Sequence, residues 1–345
     1  MNFGSYLRGL VLLGLTLLAA ASGADTSGQQ RAEAAGRGLL GAPAPRLTLK
    51  TIDGETIDLA SIYGRKAVYI KFWATWCTPC REQMPHFERT YESAGPDLAV
   101  IAIDVGFNDS IEQVRRYQRE LGITMPMVFD GDGQAAEAFH LRVTPQHIVI
   151  GRDGRVQYVG HLADQRLDAA LIAAREPGVA AGPKAAGGKR APIGEHHFQV
   201  GDQLPARSAR ILDGQAFEFQ KPDSRRPTVI VFLSPWCESY LATTRPQVSA
   251  NCRAAREQVN TLARDRPVRW LGIASGLWAA PSDLRAYRAQ YKVSIPLTLD
   301  ESGAWFRAFQ VTNVPTVIVA DAQGKIVQRI EPSDAPSLSK ALDQL

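Results

Sequence analysis

At 345 residues the chain is longer than one hydrophobic core usually organises, so two domains of ordinary size are expected. Hydrophobic residues make up 45% and charged residues 21%, which excludes a disordered or fibrous composition. The formal net charge of +4 is small for this length and spread along the chain, so no nucleic-acid partner is expected.

Taken from its start, the chain first carries an address. Arg8 precedes an apolar run from Gly9 to Ala21, and the small residues Ser22, Gly23 and Ala24 follow. This is the pattern of a secretory signal peptide cleaved near Ala24, and residues 1–24 are assigned to it. The run holds about 13 residues against the roughly 20 of a spanning helix, which leaves an uncleaved membrane anchor as the alternative. No cysteine stands near the cleavage site to accept a lipid. In a Gram-negative bacterium the mature protein is then expected in the periplasm, where disulfides form and persist. Residues 25–41 are small and polar and read as a loose leader.

Residues 42–176 read as the first domain. Leu47, Leu49, Ile57 and Leu59 alternate around the turn at Asp53-Gly54, a hairpin signal. A continuous apolar strand over 67–73 suits the middle of a sheet covered on both faces, and it runs into Trp76-Cys77-Thr78-Pro79-Cys80. A helix, an apolar strand over 98–103, a second helix and then Val143-Thr144-Pro145 follow, with a further strand leading to the turn at Gly154. Residues 177–197 contain Gly, Ala, Pro and Lys with almost no large apolar side chain, and read as a flexible linker.

Residues 198–345 read as a second domain that repeats this order. The turn Asp213-Gly214 lies between Ile211 and Phe217, the strand 228–233 runs into Trp236-Cys237, and Val314-Pro315 precedes a strand and the turn at Gly324. Cys77 and Pro145 are 68 positions apart, Cys237 and Pro315 are 78, and the excess falls just after Cys237. Each half is therefore expected to be an α/β unit, a mixed β-sheet flanked by helices.

Cys77 stands where a central strand hands over to a helix, so unpaired backbone N–H groups point at its sulfur and favour the thiolate below the free-thiol pKa of about 8.5. Arg81 adds a positive charge nearby. Cys77 is then the nucleophile toward a substrate disulfide and Cys80, one turn on, resolves the mixed disulfide. Pro79 fits the first turn of that helix, where its missing N–H costs nothing. A zinc half-site would need a second ligand pair at ligand spacing and a heme site would need His after Cys80, where Arg81 stands. No metal or other cofactor is called for. A static structural disulfide is the remaining bland reading of the pair.

Phe72-Trp73-Ala74-Thr75-Trp76-Cys77-Thr78-Pro79-Cys80 with Met84-Pro85 resembles the thioredoxin superfamily, within it the exported TlpA/ResA-like branch, over residues 42–161; the second half resembles a degenerate thioredoxin-like, or redoxin, domain. The resemblance implies tandem thioredoxin-like domains, a cis Pro145 packed on the active-site pair, and Thr144 pairing its backbone with an extended substrate. It also implies thiol–disulfide exchange with protein thiols and disulfides in the reductive direction, fed by a membrane or periplasmic electron donor. Two positions depart from the family. Lys71 stands where thioredoxins carry a buried acid, and Gln83 stands where TlpA-like proteins often carry Glu, with Glu82 one step earlier and turned by about 100° on a helix.

In the second half Tyr240 occupies the place of a second cysteine, and Cys252 is the other thiol. One straight helix would hold Cys237 and Cys252 about 22 Å apart, far beyond the roughly 6 Å reach of a disulfide. Pro246 breaks such a helix, and a helix–turn–helix would return Cys252 to Cys237, so a Cys237–Cys252 disulfide is expected, with Pro315 as the counterpart of Pro145. Its role is either a second redox pair or a structural staple. Two other functions compete: a thiol peroxidase using the wider pair, and a redox adaptor whose second domain binds partners.

Overall fold

The structure is a computed structural model that describes residues 27–176, 197–221, 225–332 and 337–345. The expected signal peptide and all but the last residue of the expected linker lie outside the described residues.

The first domain opens on a helix over residues 27–36 (α1), followed by a hairpin of β1 (Thr48–Lys50) and β2 (Thr56–Asp58) and the short α2 (Leu59–Ile62). Then come β3 (Ala67–Trp73), α3 (Thr78–Glu82), α4 (Met84–Glu92), β4 (Leu98–Asp104), α5 (Ile111–Leu121), β5 (Met127–Phe129), α6 (Gln134–Ala138), β6 (Gln146–Ile150), β7 (Val156–Gly160) and α7 (Gln165–Arg175). The sheet runs β5-β4-β3-β6-β7, with β3 parallel to β4 and antiparallel to β6.

The second domain repeats it. A hairpin of β8 (Ser208–Arg210) and β9 (Ala216–Glu218) leads to β10 (Thr228–Leu233), α8 (Cys237–Thr244), α9 (Pro246–Asp265), β11 (Arg269–Ser275), α10 (Pro281–Gln290), β12 (Leu297–Asp300), α11 (Ala304–Ala308), β13 (Thr316–Ala320), β14 (Ile326–Ile330) and α12 (Ser337–Asp343). Its sheet runs β12-β11-β10-β13-β14. The residues in excess after Cys237 lengthen the helical stretch between β10 and β11: α9 alone has 20 residues.

Every residue of β3 and of β10 is buried, which is why both read as unbroken apolar runs rather than alternating ones. Burying an aliphatic side chain such as Ile70 or Ile230 contributes about 1.5–3 kcal/mol, whereas Lys71 in the same strand opposes folding unless it stays neutral. One continuous apolar core spans both domains, and a second lies within the second domain around Val229, Val231 and Val319.

The leader is not loose in its described part. In α1, Ala32 is fully buried, the side-chain amide oxygen of Gln29 accepts the backbone N–H of His161 at 2.8 Å, and Arg31 pairs with Asp283 of the second domain at 2.8 Å. The small residues that suggested looseness serve close packing instead: a Cβ on Gly28 would come within 2.5 Å of the His161 ring.

Candidate active site

The end of β3 delivers Trp76 and Cys77, and α3 begins on the next residue. Cys77 is the N-cap, and its sulfur accepts the N–H of Cys80 at 3.2 Å. Pro79 lies in the first helical turn, as its missing N–H allows. The structure joins Cys77 to Cys80, with Cα atoms 5.2 Å apart. The helical stretch breaks at Gln83, two residues before Pro85, and Gln83 caps the end of α3 and the start of α4.

The Thr144–Pro145 bond is cis, and so is Val314–Pro315. His161, after β7, donates its Nδ1–H to the carbonyl of Pro145 at 2.7 Å. Below the cysteines lies a buried polar floor. The Lys71 ammonium nitrogen is 3.3 Å from the Cys80 carbonyl and over the Phe87 ring, and burial pushes its pKa down to about 7. Cross-strand from it, His147 bridges the Tyr69 hydroxyl at Nδ1 and the Gln83 carbonyl oxygen at Nε2, both 2.8 Å. The Gln83 amide oxygen can only accept, so Nε2 carries the proton and Tyr69 donates to Nδ1. Burial first, then the charge of Lys71, holds the His147 pKa well below its ordinary value.

Beside Trp76, Thr75 donates its N–H and hydroxyl to Asp109 at 2.8 and 2.5 Å. Burial raises the Asp109 pKa, and burial with the Asp109 charge raises that of Asp104. Arg245 of the second domain reaches Thr75 and lies 3.4 Å from Asp109.

The second site keeps the frame and changes its contents. Cys237 opens α8, and the turn at Arg245 sends α9 back so that the structure joins Cys237 to Cys252, Cα atoms 6.3 Å apart. Cys252 also lies 3.8 Å from the carbonyl of Val314, beside Pro315. Cys237 is fully buried.

The two sites face one another. The Trp76 and Trp236 rings stand 5.1 Å apart, and Thr78 donates its N–H to the Tyr240 hydroxyl at 3.2 Å. Nothing in the composition or spacing announced this. His147, His161, Tyr69 and Trp278 likewise carried no motif signal, although a histidine in the strand directly after Thr144-Pro145 was the place to look. A cavity of about 260 Å³ also lies between the domains, but it is lined by Phe107, Asp130, Asp300, Phe306 and Arg307 among others and by no cysteine.

Residues 199–345 match the Redoxin family and residues 40–159 the AhpC/TSA family. Over 134 residues the chain is 32% identical to the thioredoxin-like protein YneN of Bacillus subtilis, covering 38% of this chain and 78% of that protein. The chain belongs to the thioredoxin-like thiol–disulfide oxidoreductases. To one such oxidoreductase, ResA of Bacillus subtilis, it is 30% identical over 117 residues, 34% of this chain and 64% of ResA. Among solved structures it is similar to a thioredoxin-like protein from Aeropyrum pernix, with 26% identity, a TM-score of 0.33, and coverage of 37% of this chain and 89% of the other. In this oxidoreductase the Cys-x-x-Cys pair falls inside the first matched region and the wider pair inside the second.

Proposed function

We propose that the chain is an exported, periplasmic oxidoreductase that reduces protein disulfides through Cys77 and Cys80. In the reduced enzyme the Cys77 thiolate attacks one sulfur of a substrate disulfide, forming a mixed disulfide and releasing the other sulfur as a thiol. Cys80 then gives up its proton and attacks Cys77, forming the Cys77–Cys80 bond and freeing the second substrate sulfur. Two electrons pass to the substrate, and a membrane or periplasmic dithiol donor restores the pair. Trp76, Pro79 and the cis Thr144–Pro145 peptide frame the sulfurs.

The observation that carries this reading is the N–H of Cys80 aimed at the Cys77 sulfur at 3.2 Å, the hydrogen bond that favours a thiolate over a thiol. Beneath the pair, burial brings the Lys71 pKa down to about 7, so its amine can take or give a proton near neutral pH, while His147, held well below its ordinary value, stays neutral. The Cys237–Cys252 bond serves as a staple between α8 and α9, which is supported by its span from one helix to the next and by the apolar Val231 and Val317 standing where Lys71 and His147 lie in the first domain.

Reduction of insulin disulfides by the full chain, with dithiothreitol as donor, tests the proposal. Wild type is expected to accelerate it, and Cys77→Ser to fall to the uncatalysed rate. Undiminished activity in Cys77→Ser would end the assignment. Cleavage of residues 1–24 and recovery from a periplasmic extract test the location.

A further inference from the structure

If Cys77 is the exchanging sulfur, a protein substrate must lie over Thr78, its neighbour in the chain, and over the cis-proline loop that holds Arg142 and Thr144. That surface is already occupied. Cys77 is 1% exposed and Thr144 fully buried, and the neighbours of Cys77 on either side, Trp76 and Thr78, both touch the second domain. Trp278, after β11, donates its backbone N–H to the carbonyl of Arg142 at 2.8 Å and its indole N–H to the Thr144 hydroxyl at 3.3 Å. Its ring meets His161 edge-on at 5.3 Å. Tyr240 takes the N–H of Thr78, and Trp236 covers Trp76.

The arrangement is reciprocal. Asn108, after β4, donates its backbone N–H to the carbonyl of Thr312 at 2.8 Å, and its side-chain oxygen accepts the N–H of Val314 at 3.0 Å. Thr312 precedes Pro315 by three residues, as Arg142 precedes Pro145. Asn108 and Trp278 both adopt left-handed backbone, φ 52° and 57°, a conformation uncommon for residues other than glycine. Each domain thus lays the loop after its second core strand on the other's cis-proline loop, using backbone hydrogen bonds of the kind an incoming polypeptide would form. Charged pairs at the rim hold the contact: Arg307 with Glu137 at 2.6 Å, and Arg31 with Asp283 at 2.8 Å.

We propose that the second domain is a built-in occupant of the first domain's substrate surface, with Trp278 in the place of the incoming polypeptide, so that a protein disulfide reaches Cys77 only after this loop has left. The inference rests on the reading of Cys77 given above. The partner it fits is a polypeptide able to replace these contacts, offering an N–H to Arg142 and apolar cover to Trp76. Because both halves belong to one chain, the occupant is always at high local concentration and a partner competes with it at every encounter.

The test is the rate at which iodoacetamide alkylates Cys77 in the reduced full chain, quantified by peptide mass spectrometry, beside insulin reduction. Trp278→Gly removes the ring and both side-chain contacts while tolerating the left-handed backbone, and is expected to speed alkylation about tenfold. Arg307→Glu faces Glu137 with a like charge far from the sulfurs and is expected to give about threefold, with the swap E137R/R307E returning most of that gain. Insulin reduction should rise in the same order. Wild-type alkylation rates in both W278G and R307E, each with native circular dichroism, would overturn the proposal, as would a swap that keeps the whole R307E gain. If W278G does not fold, the R307E and swap pair decides alone. Faster alkylation with no insulin reduction in any variant would remove the exchange reading and leave the occupied surface standing.

Discussion

The two halves build the same strand, turn and helix around a cysteine, then floor it with different chemistry. Under Cys77, Lys71 of β3 stands cross-strand from His147 of β6; under Cys237, Val231 of β10 stands cross-strand from Val317 of β13. The first floor can bind and release protons and the second cannot. Cysteine spacing follows the same division. A pair three residues apart joins the start of one helix to its own first turn, whereas a pair fifteen apart ties α8 to α9. The proposed division, exchange at the first pair and a staple at the second, follows this difference between a titratable and an apolar floor.

Making the first floor resemble the second gives the largest expected effect. Lys71 titrates at about 7 in the folded protein against 10.5 unfolded, so between those values the unfolded chain holds more protons and stability rises with pH. Below about 7 the full cost of charging a buried amine is present, on the order of 4 kcal/mol. Lys71→Met should thus be more stable than wild type at pH 7, by that amount less about 1 kcal/mol for the lost bond to Cys80, and should lose the rise from pH 7 to 10. Urea denaturation at several pH values measures it. A wild-type pH slope in K71M would show that Lys71 is not the group responsible.

Opening the second pair comes next. Replacing Cys237 and Cys252 by Ser removes a cross-link over a 15-residue separation and is expected to cost about 3 kcal/mol while insulin reduction persists. Loss of activity in a variant that remains folded would make the second pair a working redox centre. The smallest change breaks one bond in the polar floor: Gln83→Ala leaves the His147 N–H without its acceptor, at about 1–3 kcal/mol. A thermal scan showing no loss there would mean that the hydrogen bond to Gln83 adds little to the stability of this floor.

The sequence made the frame legible because its signals are local. Unbroken apolar strands, Asp-Gly turns and a Cys-x-x-Cys at a strand end each depend on a few neighbouring residues, and the excess after Cys237 could be located by comparing landmarks. Lys71 and Gln83 stood out as departures from a pattern, but the histidine that joins this floor together, His147, lies on β6, across the sheet from Lys71, and bonds Gln83 and Tyr69. The closed face of the molecule was invisible for a stronger reason. Trp278 and Arg142 are 136 positions apart, and neither sits in a motif that would bring them together. The leader was misread because Gly and Ala look alike in a loose segment and in a helix pressed against its neighbour; Gly28 is in the second setting.

The central claim is that Cys77 alone captures the substrate. In a Cys80→Ser chain resolution is blocked, so incubating the reduced protein with a disulfide-bonded peptide should accumulate a mixed disulfide at Cys77, read by peptide mapping under non-reducing conditions. An adduct on Cys237 or Cys252, or none at all, would contradict the account.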